Sequence, residues 1–396
     1  MPWEAPGEPL SRQELERLTV RLLALPPERR HLVVCNVEGY RRFSLCLQLF
    51  ELGYALRHGD AAGMRVYCQA AVDVGVALPE RGRYRPAAED LRAEAWAHLA
   101  NAYKVLGDHR AAGQAWVKAK HHRTVGTRDP LLSARLAFLE SSFRREHHQN
   151  QRAAHLAQQA GTLFRSGGDL HSQALALALE ALAHRRTGHL EGAIRCLRRA
   201  QDGFDPGQDP SLYLGLQSTL GHFLGESGLI QQGLYLLSNL PSAEIDPSRR
   251  SLLIRRRWHV GLLAALAGDH GFAALTLDAV RREFLRRDAL GDAALSTLEL
   301  AAVCLRQGRA AEVHPLVEEL FPLYVECPDP QAIKRLLRHH VFRIPGVRSA
   351  AELITSWLDE ARREHEAAAG CAGNHKQGPL VPTAARVLPF VHLPQA

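Results

Sequence analysis

Four glycine turns stand 40 residues apart in this 396-residue chain: Gly188-His189, Gly228-Leu229, Gly268-Asp269 and Gly308-Arg309. A fixed period of this size marks one supersecondary unit copied along the chain. A single copy cannot bury its own apolar face, so the copies must stack. Earlier turns at Gly59-Asp60 and Gly107-Asp108 extend the series. The 81-residue gap from Gly107 to Gly188 holds one more unit, with its turn expected near His148-Gln149-Asn150. Asn replaces Gly there as the residue that tolerates a left-handed helix end. Seven units result.

Within the units a small residue follows the turn by five positions: Ala112, Ala154, Ala193, Gly233 and Ala273. It lets the second helix (B) approach the first (A). A larger apolar residue comes four later: Cys68, Trp116, Leu197, Leu237, Leu277 and Val317. Met64 and Val313 replace the small residue in units one and seven, as atypical ends of an array would. Few aromatics and no alternating β-branched runs leave little for strands. Asp129-Pro130, Asp209-Pro210, Asp246-Pro247 and Asp329-Pro330 read as helix starts, Asp capping and Pro at the first helical position. They lengthen the A helices by one to two turns.

The best-formed unit, Ala93–Ala119, carries Trp96, Leu99, Ala100 and Tyr103, then Ala112 and Trp116. This resembles the tetratricopeptide (TPR) pattern W-x2-L-G-x2-Y followed by A-x3-F, and the chain is similar to bacterial TPR proteins from about Leu45 to Leu320. The resemblance implies an all-α, right-handed α-solenoid of about seven TPR-like helix pairs. It also implies a concave groove lined by positions two, five, nine and twelve of the A helices. Mapped here, the fifth positions are Leu49, Ala97, Leu139, Ala178, Ser218, Trp258 and Leu298. The polar and aromatic candidates for partner contact are Asn101, Lys104, Phe143, Arg185, His222, Arg255 and Trp258. The lining is otherwise apolar and suits an amphipathic helix, an extended apolar peptide or the chain's own tail. Equally, longer A helices alter the register and bury some of these positions between repeats. A clamp for a terminal carboxylate finds only Asn101 and Lys104, both in one repeat. In unit six, Arg257 stands where the motif wants an aromatic, with Trp258 one step later.

The flanks differ from the array. Residues 1–44 read as N-terminal capping helices, the first opened by the capping box Ser11–Glu14 and ending before Pro26-Pro27. A second runs from about Glu28, with a possible continuation into unit one. Leu78–Pro86 reads as a loop. The solenoid spans 45–324, capping helices 325–366, and a tail without acidic residues, 367–396, is expected to be disordered.

Chemistry is sparse. The seven cysteines are scattered and suit a reduced cytoplasm. The adjacent pairs His121-His122, His147-His148 and His339-His340 point about 100° apart on a helix and chelate poorly. Cys371 and His375 lack further zinc ligands. No phosphate-loop, dinucleotide or nucleophile-elbow motif occurs, and no signal peptide or membrane span is expected. Neither an enzyme nor a cofactor or metal site is expected. The formal charge of +7 is concentrated in residues 249–287, with nine arginines against three acids. There Arg256, Arg257, Arg281, Arg282, Arg286 and Arg287 form a basic patch. It reads first as a solvated face that complements a helix dipole, and otherwise as a surface for an acidic partner or nucleic-acid phosphate. The function expected is a cytoplasmic protein-interaction scaffold or adaptor for a peptide or protein. A peptide-sensing regulatory module and an RNA-binding repeat protein are the alternatives. The sensor reading is weakened because residues 1–44 show no helix-turn-helix effector.

Overall fold

The computed structural model describes residues 10–321, apart from 59, 80, 204–206, 208, 240–249 and 288, together with 352, 354, 356 and 363. Among the described residues the chain is all-α, with no strand. It divides into two compact units, residues 1–183 and 184–396.

In the first unit, α1 (Arg12–Leu23) and α2 (Pro27–Asn36) precede the helix pairs α3 (Phe43–Ala55) with α4 (Ala61–Ala77), α5 (Arg85–Val105) with α6 (His109–Val125), and α7 (Pro130–Glu146) with α8 (Asn150–Ser166). The helix α9 (Leu170–Arg186) follows, and its last residues, from His184, belong to the second unit. Ser11 and Glu14 form the expected capping box. Unlike the expectation, α2 stops at Asn36, and a 3-10 turn (Glu38–Tyr40) separates it from α3. α1 packs on α3 and α2 on α4. They cover a core of Leu22, Val34, Leu45, Leu49, Phe50, Met64, Cys68 and Leu99. The loop before α5 is shorter than expected, because the helix already begins at Arg85.

In the second unit, α10 (Leu190–Asp202) precedes the pairs α11 (Pro210–Glu226) with α12 (Ile230–Ser238) and α13 (Arg250–Ala267) with α14 (His270–Leu285), then α15 (Leu290–Arg306) and the short α16 (Val313–Glu318). Its main core gathers Trp258, Leu262, Leu277, Phe284, Leu298, Val303 and Val313. Of the expected Asp-Pro caps, Asp129 and Asp209 each accept a backbone N–H in the first turn of the next helix; Asp60, Asp108 and Asp269 cap in the same way without having been expected to. Gly59, Asp246-Pro247 and Asp329-Pro330 lie outside the described residues, as do most of the expected C-terminal helices and the tail.

The turns share one hydrogen-bond pattern. Asp108 N–H donates to Tyr103 O at 2.9 Å and Gly107 N–H to Lys104 O at 3.0 Å. This is the Schellman closure, and it needs a residue with positive φ. Gly107, Gly188, Gly228, Gly268 and Gly308 supply it, with φ from 71° to 96°. In the turn without glycine, His148 takes the left-handed place (φ 57°), and Asn150 instead begins α8. Gly168 closes a further such turn between α8 and α9, which the 40-residue spacing does not reveal.

The backbones of α11 and α12 approach closely at Gly221 and Gly233. A Cβ on Gly233 would lie 2.4 Å from Gly221 O and 2.9 Å from a Leu263 methyl. A Cβ on Gly113 of α6 meets nothing within 4 Å. Gly233→Val should therefore lower stability by about 2–3 kcal/mol through overpacking, and Gly113→Ala should raise it by up to about 1 kcal/mol through helix propensity. Thermal unfolding of the two variants reads both. Equal midpoints would mean that α12 does not rest on α11 at Gly233.

Candidate interaction surface

Successive A helices of the second unit are joined by polar side chains 41 residues apart. Arg185, in the last turn of α9, grips Glu226 on α11 with two hydrogen bonds of 2.7 and 2.6 Å. The same carboxylate lies 3.7 Å from Nε2 of His222. His222 stacks on His259 of α13, centroids 4.5 Å apart and planes 15° apart. Nδ1 of His259 is 2.9 Å from the Ser218 hydroxyl. Burial first, then the charges of His222, Arg255 and Arg185, hold the His259 pKa well below the usual imidazole value. One turn before His259, Arg255 reaches Asp292 of α15 at 3.0 Å. Burial raises the Asp292 pKa, against the pull of Arg255. Trp258 donates its indole N–H to Glu299 of α15 and meets Phe284 edge-on at 5.4 Å.

Four candidates for partner contact thus gather in this unit: Arg185, His222, Arg255 and Trp258. They differ in access. The side chains of Arg185 and Arg255 keep 16% and 15% of their surface, whereas His222 and Trp258 are buried. The expected apolar lining is corrected by burial. Leu49, Ala97, Leu139, Ala178 and Leu298 are all buried in the helix packing. Among the candidates for partner contact, the half-buried ones are the polar Arg185 and Arg255.

The first unit holds Asn101, Lys104 and Phe143, all buried. Lys104 donates to Ser142 Oγ at 2.9 Å and lies 3.6 Å from Glu146, joining α5 to α7. Burial lowers its pKa, and Glu146 opposes that. Phe143 packs between Trp116 and His147, at 6.2 and 4.4 Å. Arg135 of α7 pairs with the buried Glu94 of α5 at 2.5 Å, again 41 residues apart. His98 stacks on Phe50 at 4.8 Å and stands edge-on to Tyr54, its Nδ1 without a hydrogen-bond partner.

The basic patch is corrected at two of its six residues. Arg281 is buried, pairing with Asp278 at 3.0 Å and Glu319 at 2.6 Å. Arg256 turns to the end of α12, donating to the carbonyls of Leu237 and Ser238. Arg257, Arg282, Arg286 and Arg287 remain exposed, the last three paired with Asp278 or Glu283 on their own helix. Of the histidine pairs, His122 bonds Glu89 at 2.7 Å; His339-His340, Cys371 and His375 lie outside the described residues. Glu226, His259, Asp292 and Glu299 were not foreseen. Glu226, His259 and Glu299 stand 41 positions from Arg185, Ser218 and Trp258, one more than the turn period, and Asp292 stands 37 from Arg255.

Burial, then the charges of Arg135 and Arg57, push the His98 pKa down to about 3. In the unfolded chain it titrates near ~6.5. The unfolded state therefore binds the extra proton between these values, and stability present above pH ~6.5 is lost as pH falls, by up to ~1.4 kcal/mol per pH unit. Replacing His98 with Phe should make the urea midpoint less acid-sensitive between pH 6 and 4. Parallel profiles for the two proteins would rule out a neutral buried imidazole.

No protein-family model matches the sequence, and no curated protein matches it. Among solved structures, the apo form of RapI is similar with a TM-score of 0.54 at 12% identity, covering 83% of this chain and 93% of that one. BtubC (BKLC) from P. vanneervenii is similar at 17% identity over 60% of this chain and 88% of that one, TM-score 0.39. Repeats of a putative kinesin light chain from Podosopora anserina, described as TPR-like, match at 18% identity over 49% and 97%, TM-score 0.36. Its paired helices and recurring turns give the chain a tetratricopeptide-type helical-repeat fold, similar to the fold of RapI.

Proposed function

We propose that the chain is a non-enzymatic interaction protein that holds a peptide or partner protein against its A helices. In the second unit the contact row is Arg185, His259, Arg255 and Asp292. The observation that carries this reading is the half-buried Arg255–Asp292 pair beside His259. A buried ion pair is weak as a stabiliser, because desolvation consumes most of its Coulomb energy, and apolar replacements are often neutral or better. Helix stacking does not need it. A peptide laid across the A helices does need fixed donors and acceptors, since its own main-chain groups must be satisfied when covered. The row offers a guanidinium, an imidazole and a carboxylate within successive turns. An acidic or mixed-charge segment complements it better than the apolar one suggested by the sequence.

Replacing both partners together separates binding from folding. Arg255→Met with Asp292→Leu should change stability by no more than about 1–2 kcal/mol. Helicity by circular dichroism should be kept. Capture from the native host should lose the partner that the unaltered protein retains. A partner held equally well by the double variant would sink this assignment.

A further inference from the structure

Three cations converge on one carboxylate in the first unit. Glu140, on α7, is nearly buried. Its Oε1 lies 2.6 Å from Lys120 Nζ on α6, 2.9 Å from Arg144 one turn along α7, and 3.9 Å from Arg152 on α8. Among the described residues, Glu140 is the one carboxylate within 4.0 Å of any of the three. The cluster therefore carries two positive charges in excess. Lys120 and Arg152 are also open to solvent, with 41% and 58% of their side-chain surface exposed.

The surroundings add to this charge. Arg152 is in the first turn of α8, whose N-cap, Gln149, makes no side-chain capping bond. Instead Gln149 accepts a hydrogen bond from Arg144 at 3.0 Å. The unfilled helix N-terminus has donor N–H groups and a partial positive charge. Helices α6 and α8 contain no Asp or Glu at all, so an incoming anion meets no repulsion from them. Burial would raise the Glu140 pKa, but hydrogen bonds from Lys120 and Arg144 outweigh it and hold the group ionised.

We propose that Lys120, Arg144 and Arg152 form a subsite for the phosphate monoester of a phosphorylated peptide, beside Glu140, which competes for the same donors. A phosphate monoester carries about −1.5 to −2 charges near neutral pH, which matches the excess; a single carboxylate leaves half of it uncompensated. It also has three strong acceptor oxygens for three donors. The donors with the greatest exposure lie on two different helices, so a phosphate presented on a side chain reaches both without entering the core. The subsite is separate from the contact row of the second unit, and its test reads phosphate binding alone.

The test titrates the full-length protein with a short Ala/Gly peptide carrying one phosphoserine, its unphosphorylated form, inorganic phosphate and a single-stranded RNA of similar length. Lys120→Gln with Arg152→Gln should weaken the phosphopeptide about tenfold or more, the scale of a lost charge-assisted hydrogen bond. Glu140→Gln should tighten it several-fold, because the competing carboxylate is gone. The unphosphorylated peptide should not bind. The proposal is overturned by phosphopeptide affinity unchanged in both variants. It is equally overturned by inorganic phosphate or RNA binding as tightly as the phosphopeptide, or by Glu140→Gln weakening binding while helicity is kept. If Glu140→Gln does not fold, the Lys120/Arg152 variant decides alone, since both side chains are solvent-exposed.

Discussion

Everything in this chain depends on how closely the second helix of each pair can lie on the first. At Gly221 and Gly233 two backbones meet with no side chain between them, and Leu237 and Leu263 fill the margins. Elsewhere alanine is enough: Ala112, Ala193 and Ala273 are fully buried at the equivalent place. A small residue there sets the separation, and the larger residue four positions later, such as Trp116 or Leu277, fills the remaining gap. Interiors pack like organic crystals, so this spacing is felt by the next helix as well. Each Schellman turn then delivers the chain to the next contact in a fixed direction.

A fixed spacing brings the same A-helix faces together again and again, and polar residues use this. Glu94 with Arg135, Arg185 with Glu226, Ser218 with His259 and Trp258 with Glu299 are each 41 residues apart. The extra residue beyond 40 moves the partner one step along the adjoining helix, where the side chains meet. In a low-dielectric setting such contacts must be well paired, because a lone charge costs several kcal/mol. The paired groups consequently stay ordered, and ordered donors and acceptors are what a bound peptide requires.

The turns and close-packing positions were legible because backbone chemistry restricts them to few residue types. Positive φ favours glycine, and a 2.4 Å approach excludes any Cβ. Helix starts at Asp129 and Asp209 were legible for the same reason. Orientation about the helix axis was not. One residue of register turns a side chain by about 100°, and the motif's groove positions presume a shorter repeat. Thus Phe143 and Trp258 fall in the core, and His259, next to Trp258, comes partway to the surface. The Glu140 cluster was invisible because its members come from three helices and share no period. Only the fold brings Lys120 and Arg152 to the same oxygen.

Charge count and available charge also part company. The sequence of α13 and α14 reads as a dense basic patch, but its arginines serve different ends. Arg281 is held from two sides by Asp278 and Glu319, and Arg256 caps the carbonyl end of α12. Arg281 is itself fully buried and Arg256 is held by two main-chain carbonyls, so neither presents its charge as the exposed arginines do. Arg282, Arg286 and Arg287 form exposed pairs three or four residues away on their own helix. Such pairs contribute about 0.3–0.5 kcal/mol each and exchange readily for another anion. An acidic surface meeting this helix would therefore engage three arginines rather than four, and would have to outcompete only local carboxylates. At Glu140 the arrangement is reversed, with three cations sharing a single acid. Local excess over the available counter-charge, rather than the number of arginines, decides where an anion gains most.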